Sequence, residues 1–230
     1  MVPICSKFSG RVLVSVALLI ATISPMTVSA SEDMREITED LNSKDWKVRL
    51  AGVEKLGASR DERSLPMLIE VANFGGEHTE VRVRAIQLLG ETGDPKALES
   101  LLDIFNDSML SWECPAIKSY TATALGNFRD DKRLDEALIG GINDRELLTR
   151  EASIRSLGKI RSSKSVPYLL NVLDDERVSI KLSAIKALEE IGNPQAIPYL
   201  ERIAEKDSDT VVRNQARAAL SVFRHHSQQN

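Results

Sequence analysis

Residues 81–95 read VRVRAIQLLGETGDP. Apolar residues at helical spacing (Val81, Ala85, Ile86, Leu88, Leu89) predict one helix, and Gly93-Asp94-Pro95 predicts its end and the start of another. Glycine closes a helix in the left-handed conformation, aspartate caps the next one, and proline fits a first helical position, where its missing N–H has no partner to lose. The stretch recurs as VRLAGVEKLG (48–57), IKSYTATALG (117–126), TREASIRSLG (149–158), IKLSAIKALE (180–189) and VRNQARAALS (212–221). The closing leucines Leu56, Leu89, Leu125, Leu157, Leu188 and Leu220 stand 33, 36, 32, 31 and 32 residues apart. A fixed period of this length marks a helical repeat array. One amphipathic pair cannot bury its apolar side alone, whereas stacked pairs bury a continuous core. The expectation is an all-α stack of about six helix pairs.

Between the copies lie partner helices, expected at about 61–73, 94–106, 130–140, 163–174 and 193–206. Three carry a proline at an equivalent place, in LPML (65–68), VPYL (166–169) and IPYL (197–200), which should delay or bend the helix. Every copy holds a small residue at its fifth position (Gly52, Ala85, Thr121, Ser153, Ala184, Ala216), as close helix contacts demand. Asp45 is placed to cap the first copy, and Val48, Val53 and Leu56 form its buried stripe. Before it, residues 31–41 read as an opening helix, with Ser31 at its cap and Met34, Ile37 and Leu41 on one face. The third copy departs most: residues 107–116 (DSMLSWECPA) read as a longer loop, with Pro115 opening the helix. The last helix is expected over 209–224, followed by a disordered tail at 225–230.

The pattern V-R-x-x-A-x-x-x-L-G-x-x-G-D-P in units of 31–33 residues resembles the short bacterial HEAT-like repeats first named for phycobilisome lyases. The resemblance spans residues 40–224 and implies a right-handed α-solenoid (α-α superhelix) of about six HEAT-like pairs. It also implies that the basic residue of the motif has a structural task.

Residues 1–30 have the layout of a secretory signal peptide. Lys7 and Arg11 are their only charges, an apolar run occupies 12–23, and small residues close the segment at VSA (28–30). Cleavage is expected after Ala30, because 12 apolar residues are too few for a span of about 20. The repeat array then occupies 31–224, with no integral membrane segment. Removing Lys7 and Arg11 from the 30 basic residues leaves 28 against 34 acidic, a net charge of −6 in place of −4. Such a balance does not draw a chain to nucleic acid. Cleavage also removes Cys5, leaving Cys114 without a partner for an internal disulfide.

Two rows of residues invite a functional reading. The second position of every copy is basic: Arg49, Arg82, Lys118, Arg150, Lys181 and Arg213. This ladder either holds an acidic ligand or pairs with nearby acids such as Asp45, Glu80, Asp144, Asp175 or Asp209, and the structural reading is preferred. A second row reads Glu54, Gln87, Thr123, Arg155, Lys186 and Arg217, basic only in its last three members. It is either a positive stripe for a partner or a solvated helix face. Trp112 in the long loop is either a packing plug or a binding hot spot.

No catalytic motif accompanies these rows. The three histidines form no H-E-x-x-H, and the chain lacks C-x-x-C pairs, G-x-S-x-G, a phosphate loop and a dinucleotide fingerprint. Deoxyhypusine hydroxylase, a HEAT-like metal enzyme, uses repeated His-Glu pairs, and this sequence has no His-Glu dipeptide. The expected function is an exported scaffold, in the periplasm or as the alternative outside the cell, that binds a protein partner on its concave or end surface without catalysis or cofactor. The alternatives are a lyase or lyase subunit resembling the bilin lyases, against which an export signal argues, and an accessory subunit of an envelope complex.

Overall fold

The computed structural model describes residues 25–108 and 114–227. Residues 1–24 of the expected leader, Trp112 and the last three residues of the expected tail lie outside them. Every regular element described is helical, in two compact units, Met1–Ile104 and Phe105–Asn230.

The first unit begins with α1 (Pro25–Leu41), which starts six residues before Ser31; that serine lies inside the helix and not at its cap. Met34, Ile37 and Leu41 are buried on one side of α1, which packs on α2 (Trp46–Ala58). Asp45 caps α2, its Oδ1 accepting the Lys47 N–H at 2.9 Å. Partner helix α3 (Ser64–Asn73) packs on α2 and on α4 (Thr79–Thr92), and α2 and α4 pack side by side. Gly93 ends α4 at φ +68°, the left-handed conformation its sequence predicts. Asp94 then caps α5 (Pro95–Asn106), accepting the Lys96 N–H at 2.7 Å. Val48 departs from expectation: it is 36% exposed, whereas Val81, Ile117, Thr149, Ile180 and Val212 at the same place are 0 or 1% exposed. α2 is the first of its row, with no earlier row helix beside it.

In the second unit α6 (Pro115–Leu125), α8 (Leu147–Lys159), α10 (Val178–Ile191) and α12 (Thr210–Ser227) form the corresponding row, each packed on the next. Partner helices α7 (Lys132–Gly141), α9 (Val166–Val172) and α11 (Ile197–Lys206) alternate with them and pack on the row. The prolines act as their position predicts. A 3-10 turn, Ser163–Ser165 or Pro194–Ala196, precedes α9 and α11, so the regular helix starts late. α12 runs to Ser227, past its expected end at 224. Cys114 precedes α6 and is buried, 6% exposed.

Small residues set the spacing of the row. The fifth-position residues are all buried. In three copies the glycine after the closing leucine meets the next row helix: an added methyl would lie 2.5 Å from the Leu88 side chain at Gly57, 2.8 Å from Ser156 Cβ at Gly126, and 2.7 Å from Ala187 Cα at Gly158. Ser156 uses this approach, its Oγ donating to Ala122 O at 2.8 Å.

Candidate functional site

The basic ladder lies at the edge where each row helix begins, and its cations reach forward by 25–28 residues in sequence. Arg49 Nη2 donates to Glu77 Oε1 at 2.7 Å, Lys118 Nζ lies 2.8 Å from Asp144 Oδ2, Arg150 Nη2 pairs with Asp175 Oδ2, and Lys181 Nζ donates to Asp207 Oδ2 at 2.6 Å. These eight side chains are 2–17% exposed. The acid before a copy thus serves the cation of the copy preceding it. Asp45 and Asp209 cap their own helices, and Glu80 faces His78 Nδ1 at 3.3 Å.

Other donors of the ladder bind carbonyls, and Arg213 Nη2 donates to the Thr210 hydroxyl at 2.8 Å. Arg82 Nε donates to Ala72 O at 2.6 Å, Arg150 Nε to Ile142 O at 3.0 Å, and Arg213 Nη1 to Asp207 O at 2.6 Å and Ser208 O at 3.0 Å. They satisfy acceptors that the helix ends and loops leave over. Burial pushes the Asp207 carboxyl up, but Lys181, the Asp209 N–H and the nearby Arg213 outweigh it and hold it below its ordinary value. Asp175 is likewise lowered: burial raises it, and the Arg177 N–H with Arg150 more than offsets that. The edge chemistry is therefore internal.

The second row differs between the units. In the first, Arg84 of α4 grips Glu54 of α2 with two bonds, 2.7 and 2.9 Å, and its guanidinium holds the Glu54 carboxyl below the usual range. At the place of Arg84, α10 and α12 carry Ser183 and Gln215, which are uncharged. Arg155 consequently pairs with Glu151 of its own helix, at 3.8 Å, and Lys186 with Glu189, at 2.6 Å; Glu189, with the nearby Glu190, raises the Lys186 ammonium pKa. The cations stand 58% and 51% exposed while the two acids beneath them are 14% and 15% exposed. The exposed ends of these two pairs are cationic, and the exposed Glu190 stands one turn after Lys186.

Arg217 does not continue this row. Counting from Val212, the equivalent residue is Ala218. One residue turns a helix by about 100°. The Arg217 guanidinium accordingly bonds Ala204 O of α11 at 2.9 Å and Asn214 Oδ1 at 3.1 Å.

Exposed apolar residues accompany the cations. Leu148 on α8 is 64% exposed and Val211 on α12 is 59% exposed, at equivalent places where the first two copies have Lys47 and Glu80. That change from charged to apolar is legible in the sequence. Leu148 lies seven residues before Arg155, two turns away on the same face. On the partner helices Tyr168 and Tyr199 are also exposed, at the place of Met67. In the first unit the ring of His78 stacks on Trp46, centroids 4.2 Å apart and planes 7° apart, beside the Arg49–Glu77 pair. Among the described residues no cluster of three His, Cys, Asp or Glu could hold a metal ion, and no helix is long and apolar enough to cross a membrane.

The sequence profile of HEAT repeats matches residues 34–110, 108–180 and 136–221. Among solved structures, the complex of CpcE and CpcF of phycocyanin lyase from Nostoc sp. PCC7120 is similar over 91% of this chain and 82% of its own, with 20% identity and a TM-score of 0.56. An engineered protein is similar over 84% of this chain and 97% of its own, with 15% identity and a TM-score of 0.53. A designed armadillo repeat protein in complex with the peptide (KR)4 is similar over 82% of this chain and 98% of its own, with 17% identity and a TM-score of 0.52. At these identities the likenesses establish the fold, an all-α repeat stack of the solenoid class. No curated protein sequence matches the chain.

Proposed function

Given that the chain belongs to the HEAT-repeat family, we propose that it is a non-enzymatic scaffold that docks a partner protein after export, in a bacterial periplasm. One contrast carries the reading. The edge cations are consumed by pairing between repeats, while Arg155 and Lys186 stand out at one-repeat spacing, each paired with a less exposed acid of its own helix. Stacked helices hold such side chains at fixed separations, so little ordering entropy is lost on binding. Two of the similar structures are themselves complexes, one between subunits and one with a peptide. Export rests on the composition of residues 1–30. Cleavage after Ala30 would leave residues 31–41, which keep Met34, Ile37 and Leu41, the buried contacts of α1.

The likeness to the phycocyanin lyase complex supports a second reading, a lyase subunit. Affinity capture of the tagged chain from the envelope fraction separates the two. A colourless preparation carrying one stoichiometric protein partner fits the scaffold, and a bound chromophore without such a partner refutes it. The mass of the exported chain checks the leader: a first residue other than Ser31 refutes cleavage after Ala30.

A further inference from the structure

We infer that α8, α10 and α12 form a docking face for an acidic amphipathic helix of the partner protein, an inference that rests on the scaffold reading and specifies the chemistry of its site. Two lines of side chains cross this row. One is apolar and lies at the helix starts: Leu148 and Val211, with Ser179 at the equivalent place on α10 and the half-buried Leu182 one turn further along it. The other is cationic and lies about two turns further along: Arg155 and Lys186, their own acids tucked beneath them. Two turns span roughly 10 Å, close to the width of a helix with its side chains. Beyond the cationic line Glu190 leans onto Gly158, which bounds the window on that side.

A helix laid across the row would face apolar residues on one flank and cations on the other. Neighbouring row helices stand about 8–10 Å apart, and a helix advances about 10 Å in seven residues. Carboxylates at i and i+7 therefore match Arg155 and Lys186, with leucine-type residues on the other flank meeting Leu148 and Val211. Charge complementarity selects the sign. In the first unit the corresponding row is neutralised by the Glu54–Arg84 pair and offers no such line.

The test uses the full exported chain and two labelled synthetic helical peptides of about 20 residues. One carries Glu at i, i+7 and i+14 with a leucine flank, and the other has Lys in place of each Glu. Fluorescence anisotropy should show the acidic peptide binding at least tenfold more tightly. Arg155→Glu with Lys186→Glu should weaken it about tenfold, and Leu148→Asp with Val211→Asp should do the same, while circular dichroism melts stay unchanged. Equal binding of both peptides, no binding of either, or indifference to the charge reversals would overturn the inference. So would sedimentation with phosphatidylglycerol vesicles, abolished by the same reversals, in place of peptide binding. If the charge-reversed chain still captures its partner from the envelope fraction, this inference fails and the scaffold reading stands. If the parent chain captures none, the scaffold reading itself fails.

Discussion

Substituting Asp207 with Asn tests whether the edge ladder holds successive repeats together. The Lys181 and Asp207 side chains are 10% and 6% exposed and meet at 2.6 Å. Removing one member of a buried pair leaves the other charge uncompensated and typically costs about 3–5 kcal/mol. An asparagine amide oxygen at this position can still accept the Asp209 N–H that Asp207 accepts at 2.9 Å, so the substitution isolates the charge. The expected loss is about 3 kcal/mol. For a chain of this size that lowers Tm by roughly 6–12 °C. Lys181→Met should cost less, about 1–2 kcal/mol, because the carboxylate keeps the Asp209 N–H and the field of Arg213. The double variant should be no less stable than Asp207→Asn alone, giving a coupling of about 2 kcal/mol in urea denaturation followed by circular dichroism. The pH dependence has a definite sign. A carboxyl held below its ordinary value contributes stability above about pH 3.9, and that stability is lost as pH falls through the lower, folded value. Asp207→Asn should therefore flatten the acid limb of the stability profile. Single losses that add to within about 0.5 kcal/mol would refute the reasoning.

Four further substitutions probe the packing. Gly158→Ala should destabilise by about 1–2 kcal/mol, since its methyl would sit 2.7 Å from Ala187 Cα; Gly140→Ala, with nothing within 4 Å, should stabilise by about 0.5–1 kcal/mol. Equal effects in thermal melts would contradict the close-approach account. Arg161 has φ +54° at the place where Gly93 and Gly192 close their helices, so Arg161→Gly should raise stability by about 0.5–1 kcal/mol in urea titrations, and a loss would count against it. The Ser153 hydroxyl is fully buried with no hydrogen-bond partner among the described residues, where three other copies have alanine; Ser153→Ala should gain about 1 kcal/mol by calorimetry, and a loss would reveal a bond the structure does not show.

The repeat, the caps and the late starts of α9 and α11 were legible because each depends on residues close together in the chain. Gly93 and Pro194 act through their own backbone, so their neighbours in sequence suffice. The pairing of the ladder was not legible in the same way. Adjacent acids such as Asp45 and Asp209 looked like partners, but stacking brings an acid from 25–28 residues ahead nearer to each cation. Val48 misled because the apolar pattern is the same in every copy while the cover on α2 is not. Arg217 misled because a one-residue slip on a helix moves a side chain by a quarter turn or more. Ser31 looked like a cap because a polar residue followed by acids is good cap chemistry, and the helix simply begins earlier. Leu148 and Val211 carried a readable signal, an apolar residue where earlier copies are charged, and it becomes meaningful only once their exposure is known.

Photo-crosslinking in the exporting cell tests the docking face most directly. A benzophenone side chain placed at Leu148 or at Val211 should crosslink the same partner, and one at the exposed Glu201 on α11 should not. Crosslinks from Glu201, with none from Leu148 or Val211, would contradict the account.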